Sequence, residues 1–569
     1  MKIRNFSKGL LYSTKDSLLR FPITLVISLL FFVSLVILNE SIGINSDLMS
    51  RISMIIGLAL PVSMFVHLIN ESYVRANKGR ILTFILGGVF LLLYYFIFLG
   101  NLTSVSVARY IGVLVFFIMG CTYVQKLIKN NNFEKHIISI INSFFLTGIY
   151  SAVLYLGIVF IIFTLEHLFN LPIIESIYYY VFLGVVFIFG MSMFLSKYPR
   201  KDFKDLSYPK ALRVLLLYIV IPLISIYTLI LIAYFIQIII TWQWPTGLVS
   251  HLVIWYSTIS VFVIFFILPL LEENKVAGKF RRFFPMINIP ILVMMFLSMA
   301  QRIVQYGFTE NRYYILLLGI WILLIMLHFI TRKPSSSTFI MVSLSVFILI
   351  SVIGPLSSFN ISIRSQNNRL AELLEKNSIL ENGQLTPNEG VLYEQQREIS
   401  NILAYFNGNH SLSDVEILPD GYNLNEMEDD FGFEFTPDYS VQSYYFYYDL
   451  AKFEAIDIRN YDYYIPINSW GEDNRFSLSD LEIHFSNYNY LLTISDDNEK
   501  ISYDIKEYVK YIHGKIGSNF YDSDDMTIII ESDYNLKLVF NHISGSEVSN
   551  GNDIDLQGLE FILLLDYNK

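Results

Sequence analysis

The chain has 569 residues, of which 54% are hydrophobic and 16% are charged, and its net charge at pH 7 is −10. An acidic chain of this kind is not expected to bind nucleic acid. Its single cysteine, Cys121, excludes an intramolecular disulfide, so an exported domain would have to be stabilised by its core alone.

The first three-fifths of the chain alternates long apolar runs with short polar loops. A helix needs roughly 18 or more mostly apolar residues to cross the hydrocarbon core of a bilayer. The runs that meet or approach this length are Phe21–Asn39, Ile52–Ile69, Ile81–Leu99, Arg109–Val124, Phe144–Leu165, Ile177–Leu195, Leu212–Ile240, Leu252–Leu271, Phe284–Ala300, Tyr313–Ile330 and Thr338–Leu356. Because a separate span satisfies its backbone hydrogen bonds only as a helix, they predict a polytopic α-helical membrane protein with about 11 transmembrane helices.

Two of these spans are unusually long. Leu212–Ile240 contains Pro222, so we expect it to tilt or kink, and it is too short to cross twice. The run Phe144–Leu165 is preceded by Ile137–Ser143, which we interpret as an interfacial lead-in on the cytoplasmic side.

Lys and Arg fall almost entirely in every second loop, and this alternation predicts the orientation. The basic loops are Met1–Arg20, Arg75–Arg80, Lys126–Lys135, Lys197–Arg213, Lys275–Arg282 and Arg332–Lys333. The intervening loops contain only Arg51, Arg109, Arg302 and Arg312. The positive-inside rule therefore predicts a multi-pass plasma-membrane protein with a cytoplasmic N-terminus and an extracytoplasmic C-terminal part.

Two further features fit this orientation. Trp242 and Trp244 lie in an uncharged turn on the predicted outer side, where indole rings favour the headgroup region. The run Phe21–Asn39 is too long for a signal peptide and lacks a small-residue cleavage site, so we expect it to remain as the first span.

Composition changes sharply after Leu356, which predicts a helical transmembrane domain over 1–356 and an extracytoplasmic α+β domain over 357–569. The second part is acidic but rich in Tyr, Phe, Ile and Leu, which disordered acidic segments lack. Helices are predicted over Ile361–Lys376, from Thr386 with Thr386 and Glu389 as a capping box, and from Ile505 to Gly517.

Strands of an antiparallel sheet are predicted in the same part, most clearly where Leu481, Ile483 and Phe485 alternate with polar residues. The other candidates are Ser443–Tyr448, Ala455–Asp457, Tyr490–Ser495, Thr527–Glu531, Leu536–Phe540 and Glu560–Leu565, with hairpin turns at Asn487–Asn489 and Asp533–Asn535.

The sequence contains no recognisable catalytic, cofactor or metal motif, and we assign none. Acidic clusters at 428–430, 496–499 and 522–525 do not match an EF-hand loop and are interpreted as solvated turns. The ionisable residues in or beside the spans lie near their ends, not at mid-membrane: His67, Glu71, Glu166, His167, His251 and His328.

One predicted outer loop, between the ninth and tenth spans, is polar beyond its surroundings. It contains Arg302, Tyr306, Thr309, Glu310 and Arg312, and a glycine that can make the turn. The three charged residues could form a charge-paired knot. The loop then either positions two spans or docks the following domain, or it forms a site for an anionic ligand or lipid headgroup.

These residues also carry a resemblance. The loop resembles a recurring stretch of the bacterial membrane family called domain of unknown function 4153, through Arg302, Tyr306, Gly307, Thr309, Glu310, Arg312 and Tyr313. Three other segments also resemble parts of this family's pattern: Leu19–Pro22, Ser365–Leu370 and Asp457–Asp462. The resemblance spans nearly the whole chain. It implies a bacterial plasma-membrane protein and supplies no activity.

The folded tail and the absence of mid-membrane charge favour a membrane-anchored envelope protein that contacts the lipid bilayer and binds an envelope protein or wall component. One alternative is a transporter or channel for an apolar or lipidic substrate. Another is an enzyme on lipid-linked substrates at the outer face, using Glu310, Glu166 or His167; a cluster of these three around one cavity would support it.

Overall fold

The computed structural model describes residues 17–40, 46–100, 102–128, 132–169, 174, 176–200, 208–241, 248–331, 337–381, 383–419, 421–437, 445–450, 456–459, 461–470, 473–478, 481–496, 500–515, 520–521, 525–531, 535–548 and 553–566. The chain divides into two compact units. The first comprises Met1–Thr386 and Tyr405–Asn423, and the second comprises Pro387–Ala404 and Leu424–Lys569.

The first unit is helical, and within the described residues ten of its helices are long and apolar enough to cross a membrane. They are α1 (Pro22–Glu40), α2 (Ser46–Tyr73), α3 (Asn77–Phe98), α4 (Ser104–Tyr123), α5 (Phe133–Phe169), α6 (Ser176–Lys197), α7 (Lys210–Thr241), α8 (Leu248–Ile267), α9 (Lys275–Tyr306) and α10 (Glu310–Thr331). This is the architecture of a multi-pass membrane protein.

The eleventh predicted span forms a shorter helix, α11 (Thr338–Val352). It stops because Ile353 is extended and Gly354 has φ +90, a conformation that glycine tolerates. The chain then enters α12 (Ser358–Lys376), where the Ser357 side chain accepts a hydrogen bond from the Asn360 amide. This helix confirms the prediction over Ile361–Lys376.

Two spans contain a π-helical turn. In α6 the turn covers Val185–Gly190, and the Ser28 hydroxyl of α1 donates to the carbonyl of Phe187 at 2.5 Å. In α7 the turn covers Leu215–Val220, directly before Pro222, which has no N–H to continue the helical ladder. The irregularity expected near this proline is therefore a widened turn within one continuous span.

The lead-in Ile137–Ser143 belongs to the same continuous helix as the fifth span, α5. The turn with Trp242 and Trp244 lies outside the described residues. Near the predicted inner end of the bundle, the Arg20 guanidinium donates to the Tyr198 carbonyl at 2.6 Å and to the Glu71 carboxylate at 3.0 Å. Arg20 therefore ties the start of α1 to α2 and α6.

Side-chain hydrogen bonds join neighbouring spans where lipid offers no competing partner. Ser257 of α8 donates to Asn288 of α9 at 3.1 Å, and Trp321 of α10 donates to Ser343 of α11 at 3.0 Å. Because lipid tails provide little hydrophobic drive for helix association, such contacts and close packing hold a bundle together.

After α12, three further segments are helical: α13 (Tyr393–Asn409), the short α14 (Met427–Phe431) and α15 (Ile505–Lys515). The last confirms the predicted helix from Ile505, whose expected end at Gly517 lies outside the described residues.

The predicted start of a helix at Thr386 is wrong. The Thr386 amide instead donates to the carbonyl of Ile379 at 2.8 Å, which continues the small hairpin of β1 (Leu380–Glu381) and β2 (Gln384–Leu385). The Asn388 side chain accepts from the Gly390 amide at 2.9 Å, a local turn that competes with helix. The helix begins only at Tyr393.

The second unit contains two mainly antiparallel sheets. Their strands are β3 (Tyr445–Leu450), β4 (Tyr463–Asn468), β5 (Asn474–Leu478), β6 (Leu481–Ser486), β7 (Leu491–Ser495), β8 (Lys500–Asp504), β9 (Phe520–Tyr521), β10 (Thr527–Glu531), β11 (Asn535–Val548) and β12 (Asp553–Asp566). One sheet has the order β4-β12-β11-β3-β9 with β10 also paired to β11, and the other is the meander β5-β6-β7-β8.

The core of this unit joins the two sheets. Phe561 of β12 lies 5.4 Å, ring centre to ring centre, from Phe485 of β6 and from Phe540 of β11, and all three rings are fully buried. Ile505, Val509 and Ile512 of α15 pack on the same core. The α+β architecture with antiparallel sheets confirms the predicted fold class.

Most of the predicted strands are found in the structure. The predictions match β6 (from Leu481–Phe485), β7 (from Tyr490–Ser495), β10 (from Thr527–Glu531), β11 (from Leu536–Phe540) and β12 (from Glu560–Leu565), and the prediction Ser443–Tyr448 overlaps β3. The strand predicted over Ala455–Asp457 is wrong for Ile456 and Asp457, because Asp457 forms a tight turn with Arg459. Ala455 and most of the turn Asp533–Asn535 lie outside the described residues.

Candidate functional site

The polar loop between α9 and α10 is a three-residue turn in the first unit. Helix α9 ends at Tyr306, and the next residue, Gly307, has φ +68. A Cβ at this glycine would lie 2.9 Å from Nε2 of Gln366, so both the backbone angle and the close approach require glycine. The turn therefore depends on α12 packing directly against it.

Helix α12 satisfies the backbone of this turn with its side chains. The Gln366 amide group donates to the carbonyls of Tyr306 and Phe308 at 3.0 and 2.7 Å. The Ser365 hydroxyl accepts from the Phe308 amide at 2.9 Å. The first helix after the spans is thus fastened to the α9–α10 turn.

Three guanidinium groups gather at the turn. Arg312 donates to the carbonyls of Tyr306 and Gly307 at 3.1 and 2.8 Å, and its guanidinium lies 5.4 Å from the centre of the Tyr306 ring. Arg369 of α12 lies 5.8 Å from the same ring and donates to the same Tyr306 carbonyl at 3.4 Å. The positive charges of Arg302 and Arg369 both act unfavourably on that of Arg312, so the three charges lie near one another.

Glu310, the carboxylate expected to neutralise these arginines, has other partners. The Tyr405 hydroxyl donates to its two oxygens at 2.7 and 2.8 Å, and Nε2 of His410 lies 2.8 Å from Oε1. The side chain of His410 is 1% exposed and that of Glu310 is 19% exposed. In the described part of the chain, neither Arg302 nor Arg312 forms an ion pair with Glu310, so the expected charge-paired knot is wrong.

The protonation of Tyr405 supports this arrangement. Burial raises the pKa of the Tyr405 hydroxyl well above its usual range, and the adjacent Glu310 charge raises it further. The hydroxyl therefore stays protonated near neutral pH and acts as a donor to the carboxylate. Glu310 joins the start of α10 to the C-terminal end of α13 and to His410, just after that helix.

The remaining predicted site residues lie apart from this cluster or play a backbone role. Glu166 accepts a hydrogen bond from the Tyr178 hydroxyl at 2.7 Å, and the His167 ring stacks on Phe163 at 4.0 Å. The Thr309 carbonyl accepts from the Tyr313 amide at 2.9 Å in the first turn of α10. Among the contacts of the described residues, neither Glu166 nor His167 touches Glu310, so no contact there supports the alternative of an outer-face enzyme.

Sequence reasoning missed four contributors to the site: Gln366, Arg369, Tyr405 and His410. The first two lie within Ser365–Leu370, a stretch already distinguished by its resemblance to a family pattern, but nothing in the sequence paired it with the α9–α10 turn. Tyr405 and His410 lie 95 and 100 residues after Glu310 and carried no signal.

The acidic and histidine side chains of the described residues are also candidate metal ligands. In the described ranges, no group of three or more His, Cys, Asp or Glu side chains is arranged to hold a metal ion. The acidic cluster at 428–430 lies in and around the short helix α14, and most of the clusters at 496–499 and 522–525 falls outside those ranges.

Comparison with known proteins assigns the chain to a family. Residues 23–388 match the family described as domain of unknown function (DUF4153), which is more than half of the chain. The chain belongs to this family. The DUF4153 region includes the α9–α10 turn and the Ser365–Leu370 stretch, whereas Tyr405 and His410 lie beyond it.

A curated relative covers part of the chain. The uncharacterised protein PM1469 of Pasteurella multocida (strain Pm70) is 24% identical over 275 residues, which are 48% of this chain and 47% of that protein. The chain thus spans about half the length of the relative it matches. No solved structure matches.

Proposed function

We propose that this DUF4153 protein is an envelope protein of the plasma membrane that binds a phosphate-bearing ligand at Arg302 and Arg312, on the extracytoplasmic side. The sidedness follows from the positive-inside rule, which puts the basic start of α9 in the cytoplasm and its far end outside. The ligand chemistry follows from the charge balance at the α9–α10 turn.

The observation that carries the proposal is positive charge without a carboxylate partner. Arg302 has no hydrogen bond or ion pair with any other residue that the structure describes. Arg312 donates to two carbonyls and contacts an aromatic ring, none of which neutralises its charge. Glu310 is engaged by Tyr405 and His410.

A phosphate group is a suitable ligand for two neighbouring arginines without a carboxylate partner. Planar guanidinium groups hold phosphate oxygens with paired, charge-assisted hydrogen bonds, and a phosphate relieves the repulsion between neighbouring arginines. The half-exposed Tyr306 ring beside them offers an apolar surface at the end of a membrane helix, where lipid headgroups lie. A lipid headgroup and a soluble phosphorylated wall component share this chemistry.

The proposal predicts that the double substitution Arg302→Gln with Arg312→Gln lowers phosphate affinity. Each lost charge-assisted hydrogen bond is worth about 1.5–3 kcal/mol, so affinity should fall by at least about tenfold. Isothermal titration of the purified full chain in neutral detergent measures this with two probes, inorganic phosphate and a short-chain phosphatidylglycerol.

The matched control is Arg459→Gln. Arg459 is an exposed arginine of the second unit paired to Asp457 at 2.6 Å, and its loss should leave binding unchanged. Binding of both probes indicates a general phosphate site, and binding of the lipid alone indicates a headgroup site. Equal affinity of the double variant and the native chain for both probes would refute the proposal.

A further inference from the structure

Three polar side chains meet on one face of the larger sheet in the second unit. Asp449 lies on β3 directly opposite His542 of β11, and Ser544 follows two residues later on β11. Opposite residues and residues two apart on a strand share a face. Nδ1 of His542 lies 2.6 Å from Oδ1 of Asp449, and Nε2 lies 3.0 Å from Oγ of Ser544.

The order of these contacts favours one tautomer of His542. An aspartate accepts the proton on Nδ1, so the neutral imidazole presents the lone pair of Nε2 to the serine hydroxyl. The other acceptor available to Ser544, the carbonyl of Gly558, is more distant at 3.5 Å. A serine, a histidine and an aspartate bonded in this order form the constellation that activates a serine nucleophile.

The surrounding sheet is irregular at this point. Register shifts between β11 and β12 fall between Phe540 and His542 and again between Ser544 and Gly545. Such bulges bend a strand and re-aim its side chains, and they are frequent beside active sites. Here they bracket both His542 and Ser544.

Strand β12 approaches the serine closely. Gly558 lies opposite Ser544, and a Cβ at Gly558 would approach Oγ of Ser544 to 2.7 Å and Nε1 of Trp470 to 3.2 Å. Nε1 of Trp470 has no hydrogen-bond partner within the described ranges, and this ring is 54% exposed. An indole N–H in this position can donate to an oxygen that gains negative charge.

The cluster is also reachable from solvent. The side chains of His542 and Asp449 are 25% and 46% exposed, and the Trp470 ring lies 5.6 Å from that of His542. A carbon added at Gly558 would clash with Oγ of Ser544, so β12 leaves no room for an acyl chain on that side of the nucleophile, which favours esters of short acids.

We propose that Ser544, His542 and Asp449 form an esterase site for short-chain carboxylic esters. Oγ of Ser544 bonds to the ester carbonyl carbon while its proton passes to Nε2 of His542, and the carbonyl oxygen becomes an oxyanion facing the Trp470 N–H. The intermediate collapses, the ester C–O bond breaks, and the alcohol leaves with the proton from His542.

Water completes the cycle. Nε2 of His542 takes a proton from a water molecule whose oxygen bonds to the acyl carbon. The bond between this carbon and Oγ of Ser544 then breaks, the carboxylic acid leaves, and Nε2 returns its proton to Oγ. Asp449 is a positioning residue that holds the imidazole and stabilises its protonated form.

The test uses the purified full chain, a fluorophosphonate probe that labels activated serines, and p-nitrophenyl acetate. The native chain should be labelled at Ser544, as located by mass spectrometry, and should hydrolyse the acetate. Ser544→Ala and His542→Ala should each lower turnover about 100-fold or more. Asp449→Asn should lower kcat with KM unchanged, and Asp449→Glu should partly restore kcat.

The control is Ser477→Ala, which removes an exposed serine of β5 and should leave labelling and turnover unchanged. Two results would overturn the site: no labelling of Ser544 in the native chain, or equal turnover in Ser544→Ala. Ser544-dependent turnover of p-nitrophenyl octanoate without turnover of the acetate would overturn the short-chain assignment. The Ser544→Ala variant should still bind phosphate, which would show that the esterase site and the phosphate site at Arg302 and Arg312 are independent.

Discussion

Replacing Glu310 by alanine is expected to destabilise the first unit by about 3 kcal/mol, because it removes the acceptor of two buried groups at once. Tyr405 donates to both carboxylate oxygens, and the almost fully buried His410 has its Nδ1 without a hydrogen-bond partner among the described residues. Without Glu310, the Tyr405 hydroxyl and Nε2 of His410 would keep their contact with each other at 3.0 Å, and the buried pair would lose its charged acceptor.

The measurement is limited proteolysis of the full chain in detergent, together with its thermal unfolding. Cleavage should increase near residues 405–423, the segment that the carboxylate holds to α10. Glu372→Ala removes an exposed carboxylate of α12 and should change neither result. If Glu310→Ala matched Glu372→Ala in both assays, the carboxylate would not fasten this segment.

Replacing Phe561 by alanine is expected to destabilise the second unit by about 3–5 kcal/mol, the usual cost of removing a large ring from a close-packed core. Phe561 is fully buried and contacts Phe485 and Phe540, so its loss leaves a cavity where the two sheets meet. This cost is a large part of the 5–15 kcal/mol that stabilises a typical domain.

Hydrogen–deuterium exchange of the full chain localises this effect. Amides of β11 and β12 should lose protection, whereas peptides from α9 and α10 in the other unit should not. Ile529→Ala is the control, because Ile529 of β10 is 63% exposed and leaves no cavity. Unchanged protection of β11 and β12 in Phe561→Ala would contradict the core described here.

The membrane architecture was predictable from sequence because a bilayer imposes one solution on a long apolar run. The same reasoning located β6, where buried and exposed residues alternate. It missed β4, which contains Pro466, a residue that argues against a strand. The structure places β4 at the edge of its sheet, where the missing N–H of proline is tolerated.

The candidate sites were less predictable because they depend on contacts distant in sequence. Arg302, Glu310 and Arg312 lie near one turn, so their proximity could be expected. The partners that draw Glu310 away from the arginines come from α13 and the residue after it. Likewise, His542 and Ser544 are two residues apart in the sequence, so their proximity could be expected. Asp449 is brought beside them only by the register of β3 against β11.

The sidedness of α9 underlies the proposed extracytoplasmic site, and cysteine labelling tests it directly. In a Cys121→Ser background, Val276→Cys and Val304→Cys place a single thiol near either end of this helix, at positions 52% and 88% exposed. A membrane-impermeant maleimide added to intact cells should label the chain with Val304→Cys, and should label the chain with Val276→Cys only after permeabilisation. The reverse pattern would place the arginine cluster in the cytoplasm and contradict the proposed function.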